Sequence, residues 1–248
     1  SIEFVKNALN LISMQDFSSA FSLAFSLIFN ADADLVEIIG LSLMVSFSAV
    51  LFAVVVGFPL GAVTAVVRFP GRQVLAVILN ALMGLPPVVV GLLVYLLISR
   101  AGPLGWMNLL YSPTAMIIAQ SILITPIIAA LTRQIIEDLH KEYEEQLRSF
   151  CVPVSRVVMT LIWDARYSLL TVVLAGFGRA IAEVGAVIVV GGNIDHLTRV
   201  MTTAIALETS KGDLALALAL GIILLVIALS INAAAYILRS SAHRSAYA

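Results

Sequence analysis

The chain of 248 residues is 61% hydrophobic and 12% charged, with a net charge of −1 and a mean hydropathy of +1.06. Soluble domains carry about 25% charged residues. Here the deficit falls in blocks, which points to a polytopic membrane protein, and the net charge of −1 does not suggest nucleic-acid binding. The single cysteine, Cys151, excludes an intrachain disulfide and any cysteine-cluster metal site.

In residues 1–34, Phe17, Phe21, Phe25 and Ile28 recur at helical spacing, with Ser18, Ser19, Ser22 and Ser26 opposite. The charge-free run 17–31 is shorter than the roughly 20 residues that a spanning helix needs. It reads as an N-terminal amphipathic, interfacial helix. An extra span over 7–30 that tolerates Asp16 is the alternative. No basic n-region precedes an apolar h-region, so no cleavable signal peptide is expected.

Residues 38–67 carry no charge. A helix of that length is about 45 Å long against a hydrocarbon core of about 30 Å. It is therefore expected to tilt, bend or project, with Gly57, Pro59 and Gly61 marking the bend. A basic turn at 68–72 leads to a second span, 73–99, with Pro86 and Pro87 inside it. A loop at 100–112 precedes a third span, 113–131, interrupted by Pro126. The fourth span is expected at 167–190. Residues 191–213 are mixed and polar, with a short surface helix at 200–208. Asp213 is placed to N-cap the last span, 214–238, and 239–248 form a tail.

Between the third and fourth spans lies the longest polar interruption, 141–166. It reads as a short charged helix, a break at 151–153 and a second amphipathic helix. Glu142, Glu144 and Glu145 come first and Arg148 last, which suits a helix dipole. Leu147 and Phe150 offer an apolar edge to a partner. An ordinary solvated loop is the alternative. Lys and Arg distribution orients the chain. Arg68, Arg72, Arg133, Lys141, Arg148, Arg156, Arg166, Arg239 and Arg244 gather on one face, against Lys6, Arg100, Arg199 and Lys211 on the other. That bias puts 141–166 and the C-terminus in the cytoplasm. Five spans then put the N-terminus outside.

Other residues carry candidate roles. Arg179 and Glu183 lie one helical turn apart inside a span, flanked by Gly176, Gly178 and Gly185. Intramembrane charges face a bundle interior or a wet cavity. The pair therefore lines or gates a path, or else is a structural ion pair. Pro86, Pro87 and Pro126 free backbone carbonyls within spans, as discontinuous helices at transport sites do. Gln120, Thr125, Thr202 and Thr203 are candidate polar contacts along such a path. Asp195 and His196 share a turn, and two ligands do not make a metal site. Cys151 is expected to be a buried small apolar residue. The only lysines are Lys6, Lys141 and Lys211, and none follows a glycine, so the chain shows no phosphate-binding P-loop.

The segment 141–166 resembles the EAA loop of ABC-importer permeases. Glu145 matches its acid, Cys151 falls on its glycine position and Leu161 on its isoleucine position. Gln146 and Leu147 stand for the two alanines, and Asp164 for the proline. The runs GLPPVVVGLLVYLLISRAGPLG (84–105) and FGRAIAEVGAVIVVGGNI (177–194) resemble spans of molybdate/tungstate-type permeases. RVMTTAIALETSKGDLALALALG (199–221) is closest to the tungstate branch. The likeness covers about 35–238.

The resemblance implies an all-α, type I (MetI-like) permease core of five transmembrane helices in a prokaryotic inner membrane. It implies a homodimer, with two ATPase subunits docked on Glu144, Glu145, Leu147, Arg148, Phe150, Cys151 and Pro153. ATP and Mg would be bound by the ATPase partner, and an extracytoplasmic binding protein would deliver tungstate or molybdate. A lone carboxylate repels an anionic cargo, so Glu183 is expected to be paired. Two other classes stand as alternatives. A secondary transporter or channel needs embedded acids, of which only Glu183 qualifies. An intramembrane enzyme needs ligands or a nucleophile–base pair at bilayer depth, whereas His140, His196 and His243 all lie in polar segments.

Overall fold

The computed structural model describes residues 33–246, along with Ser22, Phe25, Ser26 and residues 28–30; every regular element among them is helical. The expected N-terminal helix therefore lies almost wholly outside the described residues. The helices are α1 (Ala33–Val66), α2 (Arg72–Leu82), α3 (Pro87–Ile98), α4 (Pro113–Ser149), α5 (Val154–Asp164), α6 (Arg166–Ile181), α7 (Gly185–Gly191), α8 (Met201–Lys211) and α9 (Leu214–Ala246), with a 3-10 turn at Gly105–Met107. Three of them, α1, α4 and the stretch Leu214–Ile231 of α9, are long and apolar enough to cross a membrane; counting the bent pairs α2–α3 and α5–α6 as one span each raises this to five.

α1 and α4 form the central pair. Lipid tails are as apolar as leucine, so helices in a bilayer associate through close packing and hydrogen bonds more than through hydrophobic burial. The small-residue seam supplies that closeness. A Cβ added at Gly57 would stand 2.8 Å from Ile128 Cγ2, and one at Gly61 would strike the Ala129 carbonyl. Gly57, Pro59 and Gly61, expected to mark a bend, all lie within one continuous helix. α3 packs against α7 by the same device, since a Cβ on Gly91 would lie 2.8 Å from Ala186 Cα. Buried Ala49, Ala53, Ile124, Ile128, Leu161, Leu169 and Phe177 join α1, α4, α5 and α6 in one cluster. Outward-facing Leu51, Phe52, Val55, Val77 and Leu225 are exposed, as suits a hydrocarbon solvent.

Several expected boundaries are corrected. The third span and the first helix of 141–166 are one helix, α4, which also runs through Pro126. At 37 residues it is about 55 Å long and must extend well beyond the bilayer core. Ser112 opens it, its hydroxyl accepting from Ala115 N at 3.3 Å, and Pro113 occupies the first turn, where a missing N–H costs nothing. The expected second span is two helices, α2 and α3, meeting at 103°. Pro86 stands at the N-cap of α3 with Pro87 as its first residue. The expected fourth span is interrupted at 182–184 between α6 and α7. α9 continues to Ala246, past the expected end at 238. The short helix near 200–208 is present as α8, and Asp213 does cap α9, accepting from Leu216 N at 3.2 Å.

Candidate functional site

Two sites draw together the residues singled out by sequence. The first is the end of α4. Its last turn closes with Cys151 N donating to Arg148 O at 3.0 Å and Val152 N to Leu147 O at 3.2 Å. This pair of bonds is a Schellman ending, whose pivotal residue is left-handed and usually glycine. Cys151 holds that place with φ 50°. The glycine of the EAA pattern and the turn seen here are thus one feature, built with a less suitable residue. Pro153 follows at the N-cap of α5. Cys151 is exposed, contrary to the expected burial, because the left-handed turn points its side chain out of the packed face. Leu147 is half-buried and packs on the inner cluster. Of the expected apolar edge, Phe150 alone projects, at 79% exposure.

The acids were expected in the first turns of a short helix. They sit instead near the C-terminal end of a long one, where the dipole opposes them. Glu144 is compensated on both sides, by Arg148 at 2.6 Å and Arg68 at 3.0 Å. Glu145 is exposed and has no ion pair among the described residues. Sequence reasoning missed the cluster behind it. Glu137 meets Arg133 at 2.7 Å, Arg72 at 3.6 Å and Lys141 at 3.8 Å. Arg72 also caps α1, donating to Thr64 O and Ala65 O at 2.7 Å each. The 133/137/141 spacing, with Arg72 in the preceding basic turn, was the signal. These pairs fasten the 68–72 turn to the protruding shaft of α4.

The second site is a polar centre where α4, α6, α7 and α8 converge. Arg179 forms its ion pair with Glu183, whose other oxygen accepts Ala186 N at 3.1 Å. The carboxylate thus caps the start of α7, across the break in the fourth span. The Glu183 side chain is 3% exposed, and that of Arg179 34%. Thr202 donates to the Glu183 carbonyl at 2.8 Å, and Gln120 Nε2 to the Ala180 carbonyl at 3.1 Å. Both carbonyls belong to the last turn of α6 and the break, where side chains supplement the backbone: Ala180 O also accepts Glu183 N at 3.1 Å. Thr203 is fully buried and exchanges bonds with the Val200 backbone. Thr125 donates to Ser121 O at 2.7 Å within α4. Pro86 and Pro87 open α3 at the α2–α3 corner, and the next residue, Val88, packs against Gly185 beside Glu183. Ser42 was overlooked: buried on α1, it accepts from Met201 N at 2.7 Å and so ties α8 to the centre.

A third cluster holds α1 to the 193–199 turn. His196 Nδ1 lies 2.9 Å from Glu37, and Arg199 lies 2.7 Å from Asp195. The hydrogen bond to Glu37, with the charges of Glu37, Asp195 and Asp34, holds the imidazole above its ordinary pKa.

A family model described as "Binding-protein-dependent transport system inner membrane component" matches residues 57–244. The tungstate uptake system permease protein TupB of Peptoclostridium acidaminophilum is 40% identical over 91% of this chain and 99% of its own length. TupB of Campylobacter jejuni is 37% identical over 86% of this chain and 89% of its own. A probable anion ABC transporter permease protein of Haloferax volcanii is 38% identical over 80% of this chain and 88% of its own.

Proposed function

The chain belongs to the family of binding-protein-dependent transport system inner membrane components, and from that premise we propose that it is the permease of an ATP-driven importer for tungstate. The observation that carries the cargo is likeness over most of the chain to two tungstate permeases, at 40% and 37% identity. Two copies of the chain form the path. Two ATPase subunits, which bind the ATP and Mg, dock on the 144–153 segments, and an extracytoplasmic binding protein supplies the oxyanion. The docking face is the cytoplasmic one. Molybdate has the same charge and shape and is the natural competitor.

Glu145, Phe150, Cys151 and Pro153 offer the ATPase an exposed acid and an exposed aromatic on a sharply closed turn. Glu144, Leu147 and Arg148 hold that turn to the transmembrane body. An unpaired carboxylate at a helix C-terminus is a poor arrangement by itself and a good one opposite a partner's cation. ATPase closure then moves α4, and access alternates without chemistry in the permease. Arg179 and Glu183 fix the interrupted helices around the path. Gln120, Thr125, Thr202, Thr203, Pro86 and Pro87 shape it through the backbone.

The test is uptake of labelled tungstate into vesicles holding the permease, its ATPase and its binding protein. Glu145→Arg is expected to cut uptake about tenfold or more, the equivalent of one lost charge-assisted bond, while the ATPase still hydrolyses ATP. Unchanged uptake removes Glu145 from coupling. Uptake of neither tungstate nor molybdate by the parent complex overturns the cargo.

A further inference from the structure

We propose that the groove between α1, α5 and α6 binds an anionic phospholipid, whose phosphate sits on Arg166 and whose acyl chain lies along the groove. The groove measures about 640 Å³ and is walled by Phe58, Met159, Ile162, Trp163, Leu169 and Val173. That is the size range of small-molecule sites, roughly 300–1,000 Å³. Arg166 is the one charged residue in its lining. It sits where α5 and α6 meet at 73°.

Three observations point to an anionic headgroup. First, Arg100, Arg156 and Arg166 are the described Lys and Arg side chains with no carboxylate partner among the described residues. Two of the three belong to this one segment. Second, the Arg166 guanidinium is already aimed. It stacks 5.2 Å from the Trp163 ring centre and 4.5 Å from that of Tyr167, and donates to Trp163 O at 2.8 Å. An arginine has five N–H donors in a flat fork that matches a phosphate. Stacking holds the fork in place and leaves donors over. Third, α5 buries Val157 and Leu161 while exposing Arg156, Met159 and Trp163. A helix with such faces lies in the headgroup plane, and Trp and Tyr concentrate at that level.

The choice of lipid follows from charge. A zwitterionic headgroup brings its own cation to a site that already holds Arg166. An anionic one does not, and its attraction is about fivefold per basic residue near the surface. The site is independent of which anion the protein carries. A bound lipid here would brace the Ala165 bend, at the far end of the helix α5 that follows the docking turn.

The chain's two tryptophans, Trp106 and Trp163, allow a direct reading. Trp106 is 76% exposed, so Trp106→Phe leaves Trp163 as sole fluorophore. This full-length variant is reconstituted in phosphatidylcholine vesicles with brominated phosphatidylglycerol or brominated phosphatidylcholine as quencher. Half-quenching is expected at a several-fold lower mole fraction of the glycerol lipid. Arg166→Gln is expected to abolish that difference and Arg166→Lys to keep part of it. Equal quenching by both lipids overturns the proposal, and that comparison needs no Arg166 variant to fold. A preference that survives in Arg166→Gln with an unchanged melting temperature overturns it too. So does quenching by neither lipid, which assigns the groove to a protein occupant such as a second copy or the ATPase.

Discussion

The polar centre and the end of α4 both collect charges, and they treat them in opposite ways. At the centre Glu183 is buried and every oxygen is used: one on Arg179, one on Ala186 N, and the carbonyl on Thr202. At the end of α4, Glu144 is held between two arginines while its neighbour Glu145 stands open. A satisfied charge inside the membrane fixes architecture. An unsatisfied one outside it is an offer to another molecule. Under the proposed function, the difference separates residues that build the permease from residues that connect it to its ATPase.

The largest effect is expected at the centre. Removing one partner of a buried ion pair costs about 3–5 kcal/mol, whereas replacing both is far milder. Glu183→Gln is therefore expected to reduce the yield and melting temperature of the solubilised protein more than the double change Arg179→Gln with Glu183→Gln. Equal damage from the two contradicts a pair whose role is to fix the fold. At the connecting end the expected change has the opposite sign. Cys151 holds a left-handed conformation that costs a non-glycine residue about 1 kcal/mol. Cys151→Gly is expected to stabilise the turn by less than that amount, since glycine loses more chain entropy on folding, seen as a slightly higher melting temperature; a lower one means that the Cys151 side chain makes contacts worth more than the strain. The smallest effect belongs to the surface latch of His196 and Glu37. Because folding raises the His196 pKa, the latch contributes fully below the unfolded value of about 6.5 and fades as pH rises through the folded one. The melting-temperature gap between the parent and His196→Gln is expected to be widest below about pH 6.5 and to narrow as pH rises above it. A gap that widens with pH reverses the assignment.

Much of this was legible in the sequence. The apolar blocks located the helices, Asp213 marked the start of α9, and the glycine slot of the EAA pattern located the turn at Cys151. The breaks were harder to read. Pro86 and Pro87 announced a disturbance, but whether a proline bends a helix or ends it depends on what takes over the freed backbone groups, and only packing decides that. The break at 182–184 has no proline. Its signal was Glu183 itself, since an acid at depth can recruit the first N–H groups of a new helix. α4 was divided wrongly because a polarity change looks like a helix end when the helix is simply leaving the membrane. Glu137 was passed over because its partner Arg72 lies 65 positions away.

The length of α4 has a mechanical consequence. The helix packs on α1 from Ser121 against Ala49 out to Ile128–Thr132 against Gly57 and Gly61, and Arg72 and Glu137 extend the hold beyond that seam. Under the proposed function, a push on the far end of α4 would therefore carry α1 with it as one rigid pair, and would reach the Ala180 carbonyl through Gln120.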